Sequence, residues 1–243
     1  TFTDVFPEVT AWFINADLFL IGSHTPQSVQ FSAVKQALSE TPILEKGLQD
    51  VYLRDVTELM AAFFMTKENL EEFTNDAEPM TDDRPWAEFL APKMIYNRNV
   101  KDILVAFEDF RQSPLVIIDG SNEVDWPTIE SKIRKRHAAH QQDFQGLKIY
   151  YGGLVMSSPE KEFRKSLGID PDDNNAQYYL SEILINKARI YLGWGDKMDE
   201  VFELLLEAKQ HAPYRSDVHK VLGDAYYEVQ DLDSAKVSYG EHI

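Results

Sequence analysis

The apolar positions of this chain follow one period up to Gly22 and another from Gln30 onward. Residues 9–14 and 17–22 are short runs rich in aromatic and β-branched side chains, separated by Asn15 and Ala16, which predicts a β-hairpin closed by Gly22 and Ser23. An isolated hairpin is marginal in water, so the pattern calls for a further sheet beside it, from outside this sequence or from a second copy. Phe31, Val34, Ala37 and Leu38 then recur at helical spacing, as do Val56, Leu59, Met60, Phe63 and Phe64, and each set predicts one buried helical stripe. Thr66 is placed to cap a third helix carrying Asn69, Leu70 and Phe73. Periodicity fails across residues 78–92, where three prolines and clustered charge predict a loop and a short extended segment. Val100, Ile103, Leu104, Phe107 and Phe110 mark another helix ending near Ser113 and Pro114, and residues 115–118 read as a strand or as a packed linker.

Past Pro127 everything reads as helix, so the domain boundary is placed within 119–127, giving parts 1–120 and 121–243. Two turns of the same kind, Gly168-Ile169-Asp170-Pro171 and His211-Ala212-Pro213, put prolines 42 residues apart, a separation typical of helical repeats. In the last unit Leu222-Gly223, Tyr226, Ala235 and Tyr239 stand where the tetratricopeptide pattern has Leu-Gly, Tyr, Ala and an aromatic. Gly223 and Ala235 would be small where two antiparallel helices cross, with Leu222, Tyr226 and Tyr239 filling the space around them. The preceding unit keeps Leu205, Ala208 and Pro213 but carries Arg189 where the pattern prefers Gly, and its first helix, 176–192, exceeds a 34-residue unit by about two turns. A looser unit over 144–167 keeps Tyr150 and the Asp170-Pro171 exit. The region resembles tetratricopeptide repeats, with a generic helical bundle as the alternative. The expected fold is mainly α, with a small α+β N-terminal part followed by an α-α repeat array.

Composition narrows the partners. The 243 residues are 44% hydrophobic, enough for a real core, and carry a net charge of −17, which opposes phosphate backbones and anionic lipid. Nucleic acid is therefore not the expected partner. The absence of cysteine removes disulfides and thiolate chemistry and fits a cytoplasmic setting. No apolar run approaches the roughly 18 residues of a membrane span. Thr1 leads directly into Phe2, Val5 and Phe6, which reads as the start of a cut piece.

Two segments carry a more specific likeness. Val5-Phe6-Pro7-Glu8-Val9, Trp12 and Asp17-Leu18-Phe19-Leu20-Ile21-Gly22-Ser23 are similar to the closing stretch of the spermidine/spermine synthase family. Thr81-Asp82-Asp83-Arg84-Pro85, Glu88-Phe89 and Pro92 resemble a signature of its long, multidomain bacterial members, some of which end in tetratricopeptide repeats. The resemblance implies that the hairpin ends a Rossmann-like sheet. It also implies that Thr81, Asp82, Asp83 and Glu88 lie near a substrate in the parent protein, whose donor would be S-adenosylmethionine or its decarboxylated form. Met80 stands where the family has Asn, and no G-x-G-x-x-G turn is present to hold a nucleoside. No cofactor is expected in this chain itself.

Asp82, Asp83 and Glu88 form the best carboxylate cluster, suited to acid/base work or to an amine cation, although an Asx- or ST-type turn at Thr81 and Asp82, with Arg84 pairing a neighbouring acid, is the preferred reading. Trp86 or Phe89 is expected to anchor that segment on the N-terminal helices. His137 and His140 are three apart on a helix and could share a metal, but beside Lys132, Arg134, Lys135 and Arg136 they read as a solvated basic face. Gly152-Gly153 lacks a following lysine and reads as a helix break or a close crossing, and His24, His211, His219 and His242 fall in unrelated elements. Two functions follow: a non-catalytic interaction region whose repeats hold a protein or peptide partner, or an acidic segment closing over a polyamine in an intact aminopropyl- or methyltransferase. Exposed ends at the hairpin and the last helix suggest a homodimer. The chain alone is expected to transfer no aminopropyl or methyl group; turnover of either donor above a heat-killed control would contradict this.

Overall fold

The computed structural model describes residues 2–14, 17–26, 28–50, 53–76, 100–152, 158–195 and 197–242. It is mainly helical with a small antiparallel sheet near the N-terminus, and its packing divides it into two units, Thr1–Asn174 and Asn175–Ile243.

In the first unit, β1 (Glu8–Ile14) and β2 (Asp17–Ser23) pair antiparallel from Glu8 opposite Ser23 to Ile14 opposite Asp17, the hairpin expected from their alternation. A short helix, α1 (Phe2–Val5), precedes them, and Phe6 lies against Gly22 so closely that a Cβ there would come within 2.4 Å of its ring. The other edge of β1 is not left to a second molecule. It pairs antiparallel with β4 (Phe63–Thr66), Ala11 opposite Met65 and Trp12 opposite Phe63, with an irregularity between Ala11 and Trp12. This corrects the helical reading of Phe63 and Phe64. The preceding helix α4 (Val56–Ala61) stops at Ala61, and the next residues send alternate side chains to opposite faces of the sheet. Phe63 meets Trp12 edge-on at 5.6 Å, while Phe64 lies among Phe13, Phe107 and Phe144 at 5.6 to 5.8 Å. Because both faces are buried, the strand reads as an unbroken apolar run, which periodicity cannot tell from a helix. Gln112 covers part of the far side of β4, its N–H donating to the Phe64 carbonyl and its side-chain oxygen accepting from Thr66 N–H.

Helices α2 (Phe31–Glu40), α5 (Lys67–Phe73) and α6 (Val100–Glu108) appear where the spacing predicts apolar stripes, with Thr66 at the N-cap position of α5, and a further helix, α3 (Pro42–Asp50), follows α2 without having been expected. The Thr66 hydroxyl bonds to Glu68 and holds that carboxyl below its ordinary value. Residues 115–118 resolve into both alternatives: a 3₁₀ turn (Pro114–Val116), then β5 (Ile118–Asp119), which pairs parallel with β3 (Val29–Gln30). Trp12, Met60, Phe63, Ile117, Ile118 and Ile133 meet in one core. Ile133 belongs to α7 (Trp126–Gly152), which packs on α4, α6 and α8 (Pro159–Ile169). The sequence boundary at 119–127 thus lies within one packed body, and the division falls at Asn174, because α7 supplies core to the sheet side.

The second unit contains most of α9 (Asn174–Trp194), then α10 (Met198–His211), α11 (Ser216–Glu228) and α12 (Leu232–His242). Helices α11 and α12 form a tight hairpin whose turn places Gln230 at φ 61°, with Asp231 accepting from Ser234 N–H to start α12. Among the described residues no helix is long and apolar enough to cross a membrane.

The strand assignment has a measurable consequence. Phe63→Ala is expected to destabilise the chain by roughly 3–5 kcal/mol in urea unfolding, as a fully buried aromatic does. It should also weaken the near-ultraviolet circular dichroism of Trp12. An unchanged unfolding midpoint would remove β4 from the core.

Candidate functional site

The first unit buries a group of charged side chains whose positions come from four segments. Asp55 caps α4 by accepting from Glu58 N–H at 2.8 Å, which turns the Glu58 side chain inward on the first turn of that helix. On α7 the buried positions run Ile133, Arg136, Ala139, Asp143, Phe144 and Leu147, one stripe with an arginine and an aspartate among its apolar members. Arg136 forms ion pairs with Glu58 and with Asp170 at the end of α8, and Lys135 reaches Asp170 from the rim at 3.4 Å. Burial pushes the Asp170 carboxyl up, but Arg136 overcomes this and holds it below its ordinary value. Ser166 Oγ lies 2.9 Å from the Ala139 carbonyl oxygen and 3.0 Å from Asp173 Oδ2, its one hydroxyl proton serving either acceptor. His140 brings Nε2 to 3.2 Å from Glu58 and 3.5 Å from Asp173. Glu58 is 1% exposed and Asp173 fully buried, so the cluster is enclosed by the protein.

This overturns the reading of residues 132–140 as a solvated basic face. Lys132, Arg134 and Lys135 are exposed, whereas Arg136 is 4% exposed and serves the interior. His137 and His140 do not converge. His140 turns to the two carboxylates, while burial, with Arg111 and His140 nearby, pushes His137 down to about 4. Burial also pulls Arg111 down to about 10 against the opposing fields of Asp143 and Asp173. Glu58 was missed because Asp55-Val56-Thr57-Glu58 has the form of a surface capping box, in which the acid would point back to the helix start.

In the second unit, Gly223 faces Tyr239, and a Cβ on Gly223 would stand 2.5 Å from the Tyr239 ring. The Tyr239 hydroxyl donates to Asp224 at 2.7 Å, and that hydrogen bond to a carboxylate pushes it up to about 12. Leu222, Ala208 and Ala235 are buried; Tyr226 is half-buried against Phe202 at 4.8 Å; Pro213 is exposed, and its carbonyl lies 2.8 Å from His219 Nε2. A groove of about 340 Å³ runs over α10, α11 and α12 past Leu206, Tyr226 and Val237, with Lys209, Asp233 and Glu241 at its borders. Leu206 and Val237 are exposed there, 47% and 64%. Arg215 braces the start of α11. It pairs with Asp217 at 2.9 Å and Glu182 at 3.6 Å, donates to the Tyr178 carbonyl at 3.4 Å, and lies over the Tyr178 ring at 4.4 Å.

Thr81, Asp82, Asp83, Glu88, Trp86 and Phe89 lie outside the described residues, as does Gly153 of the glycine pair; Gly152 ends α7. No protein-family model, curated protein or solved structure matches the chain.

The Arg215 brace is pH-dependent. Burial pushes the Asp217 carboxyl up, but Arg215, with Arg189 beside it, more than offsets this, so the folded pKa is depressed. A depressed acid stabilises the fold above its unfolded value of about 3.9, and that stability is lost as pH falls through the folded value. Asp217→Asn is therefore expected to lower Tm at neutral pH, with the gap to the unmodified chain closing in acid below pH about 4. A gap that stays constant with pH would mean that Asp217 acts by packing alone.

Proposed function

We propose that the chain is a non-catalytic interaction and regulatory region of a spermidine-synthase-like protein, and that its C-terminal helices work as tetratricopeptide-like repeats holding a segment of a protein partner. The observation that carries this reading is the groove over α10, α11 and α12, where exposed Leu206 and Val237 stand beside Tyr226 among polar lining residues. Packed antiparallel helices commonly present such channels to helical or extended peptides. The contact between Gly223 and Tyr239 supports the repeat reading, since a small residue facing a large one is what the tetratricopeptide pattern specifies at the helix crossing. Glu241 is paired with Lys209 at 2.8 Å, but Asp233 beside the groove, in a chain of net charge −17, favours a partner helix whose apolar face is flanked by basic residues.

The test is an array of amphipathic helical peptides, with basic and with acidic polar faces, probed with the chain and with Leu206→Asp and Val237→Asp. Basic-faced peptides should be retained, and each substitution should weaken them at least tenfold while the helical circular dichroism is kept. Retention of none, or binding insensitive to both substitutions, would remove the groove as the partner site.

A further inference from the structure

A cavity of about 450 Å³ in the first unit is lined by α2, α3, α7 and the start of α4, and its volume falls within the roughly 300–1,000 Å³ of small-ligand sites. Helical spacing brings its lining together. Phe31, Lys35, Leu38 and Ser39 stand at i, i+4, i+7 and i+8, one face of α2, while Ile129 and Lys132 stand three apart on α7. Each of the two helices thus gives the cavity an apolar side chain and a lysine. The lining is also layered by polarity: Val56 is buried, Phe31, Leu38 and Ile129 are half-buried, and the charged lining residues are all exposed.

Phe31, Leu38 and Ile129 also pack on the core around Trp12, Met60 and Phe63, so the floor of the cavity is the outer layer of that core. Protein interiors rarely leave gaps larger than a water molecule. Yet no residue of α2 is buried, although Phe31, Val34 and Leu38 all reach the core. The apolar layer is incompletely covered here, and an apolar body entering the cavity would remove that surface from water. Charge at the rim runs against the rest of the chain. The sequence has 24 basic and 41 acidic residues, but the rim has Lys35, Arg54 and Lys132 against Glu45 and Asp55. Asp55 is committed to the α4 cap through Glu58 N–H. Among the described residues no hydrogen bond or ion pair engages Lys35, Lys132 or Glu45. Two unengaged ammonium groups against one carboxylate favour a single negative charge on the occupant, and the floor favours an apolar body attached to it.

We propose that this cavity binds an organic monoanion, a carboxylate carried on an apolar body, with Lys35 and Lys132 at the charged head and Phe31, Leu38 and Ile129 around the body. The site lies within the first unit and is independent of the partner-binding reading.

The probe is decanoate, titrated calorimetrically into the chain beside decanol and decylamine, which share its apolar body and differ in charge. One equivalent of decanoate should bind with Kd below about 1 mM, and decanol and decylamine roughly tenfold more weakly or worse. Lys35→Glu and Lys132→Glu, both at exposed positions, should each lower decanoate affinity by roughly tenfold or more, whereas the same reversal at exposed Lys236 on α12 should leave it unchanged. Ser39→Trp, which puts a large side chain on the lining from an exposed position, should block uptake. Circular dichroism checks that each variant keeps its helix. Should any fail to fold, nuclear Overhauser contacts between decanoate and the Phe31 ring in the unmodified chain locate the ligand. The proposal is overturned if millimolar decanoate shows no saturable uptake, if decanol binds as tightly, if bound decanoate makes no contact with Phe31, or if binding survives Ser39→Trp and both charge reversals.

Discussion

Arg136 sits in the interior of the first unit with Glu58 on one side and Asp170 on the other, 4% exposed, and much of that unit's arrangement depends on this contact. Taking three charges out of water carries a desolvation cost of several kcal/mol per ion, which their mutual attraction offsets only if geometry and further hydrogen bonds are good. Here Asn174 shares Glu58, while Lys135 and the Asp172 N–H share Asp170. Such a set is not a strong source of net stability compared with an apolar replacement of equal shape. It is a strong constraint, because removing one partner strands a buried charge at a cost of roughly 3–5 kcal/mol.

The constraint acts on the sheet through chain connectivity. Fixing Glu58 fixes α4, and α4 ends only two residues before β4. β4 is the strand that closes the edge of β1 and puts Phe63 and Phe64 on opposite faces of the sheet. The ionic centre and the aromatic core are thus two ends of one short segment, 56–66. The same segment supplies Glu58 to the charge cluster and, through the Ala61 carbonyl, meets His140 Nδ1 at 3.3 Å.

The second unit solves its packing differently. Its interior is mainly apolar, with Leu205, Ala208, Val218, Leu222 and Ala235 buried beside Ser181 and His219, and its charged brace at Arg215 stands at a helix start in partial contact with water. Close helix approach comes from Gly223, where the Tyr239 ring occupies the space a side chain would fill. Exposed aliphatic residues on α10 and α12 line the groove in which the proposed partner would sit.

The hairpin, the helix of Phe107, the Thr66 start of α5 and the pairing of Gly223 with Tyr239 could all be read along the chain, because each depends on neighbours within a few turns or on a fixed local spacing. By itself the sequence also determined the mainly helical class with its small strand-bearing start, since that follows from the change of apolar period near Gln30. It did not reveal β4, where burial on both faces erases the alternation that marks a strand. Nor did it reveal the charge cluster: Glu58 looks like a capping acid, Arg136 like one more member of a basic run, and Asp173 like a turn residue. Only the tertiary structure brings residues 58, 136, 140, 170 and 173 together, because whether a charge is solvated or buried depends on which helix packs over it, and that contact spans more than a hundred positions of sequence in the pairing of Glu58 with Asn174.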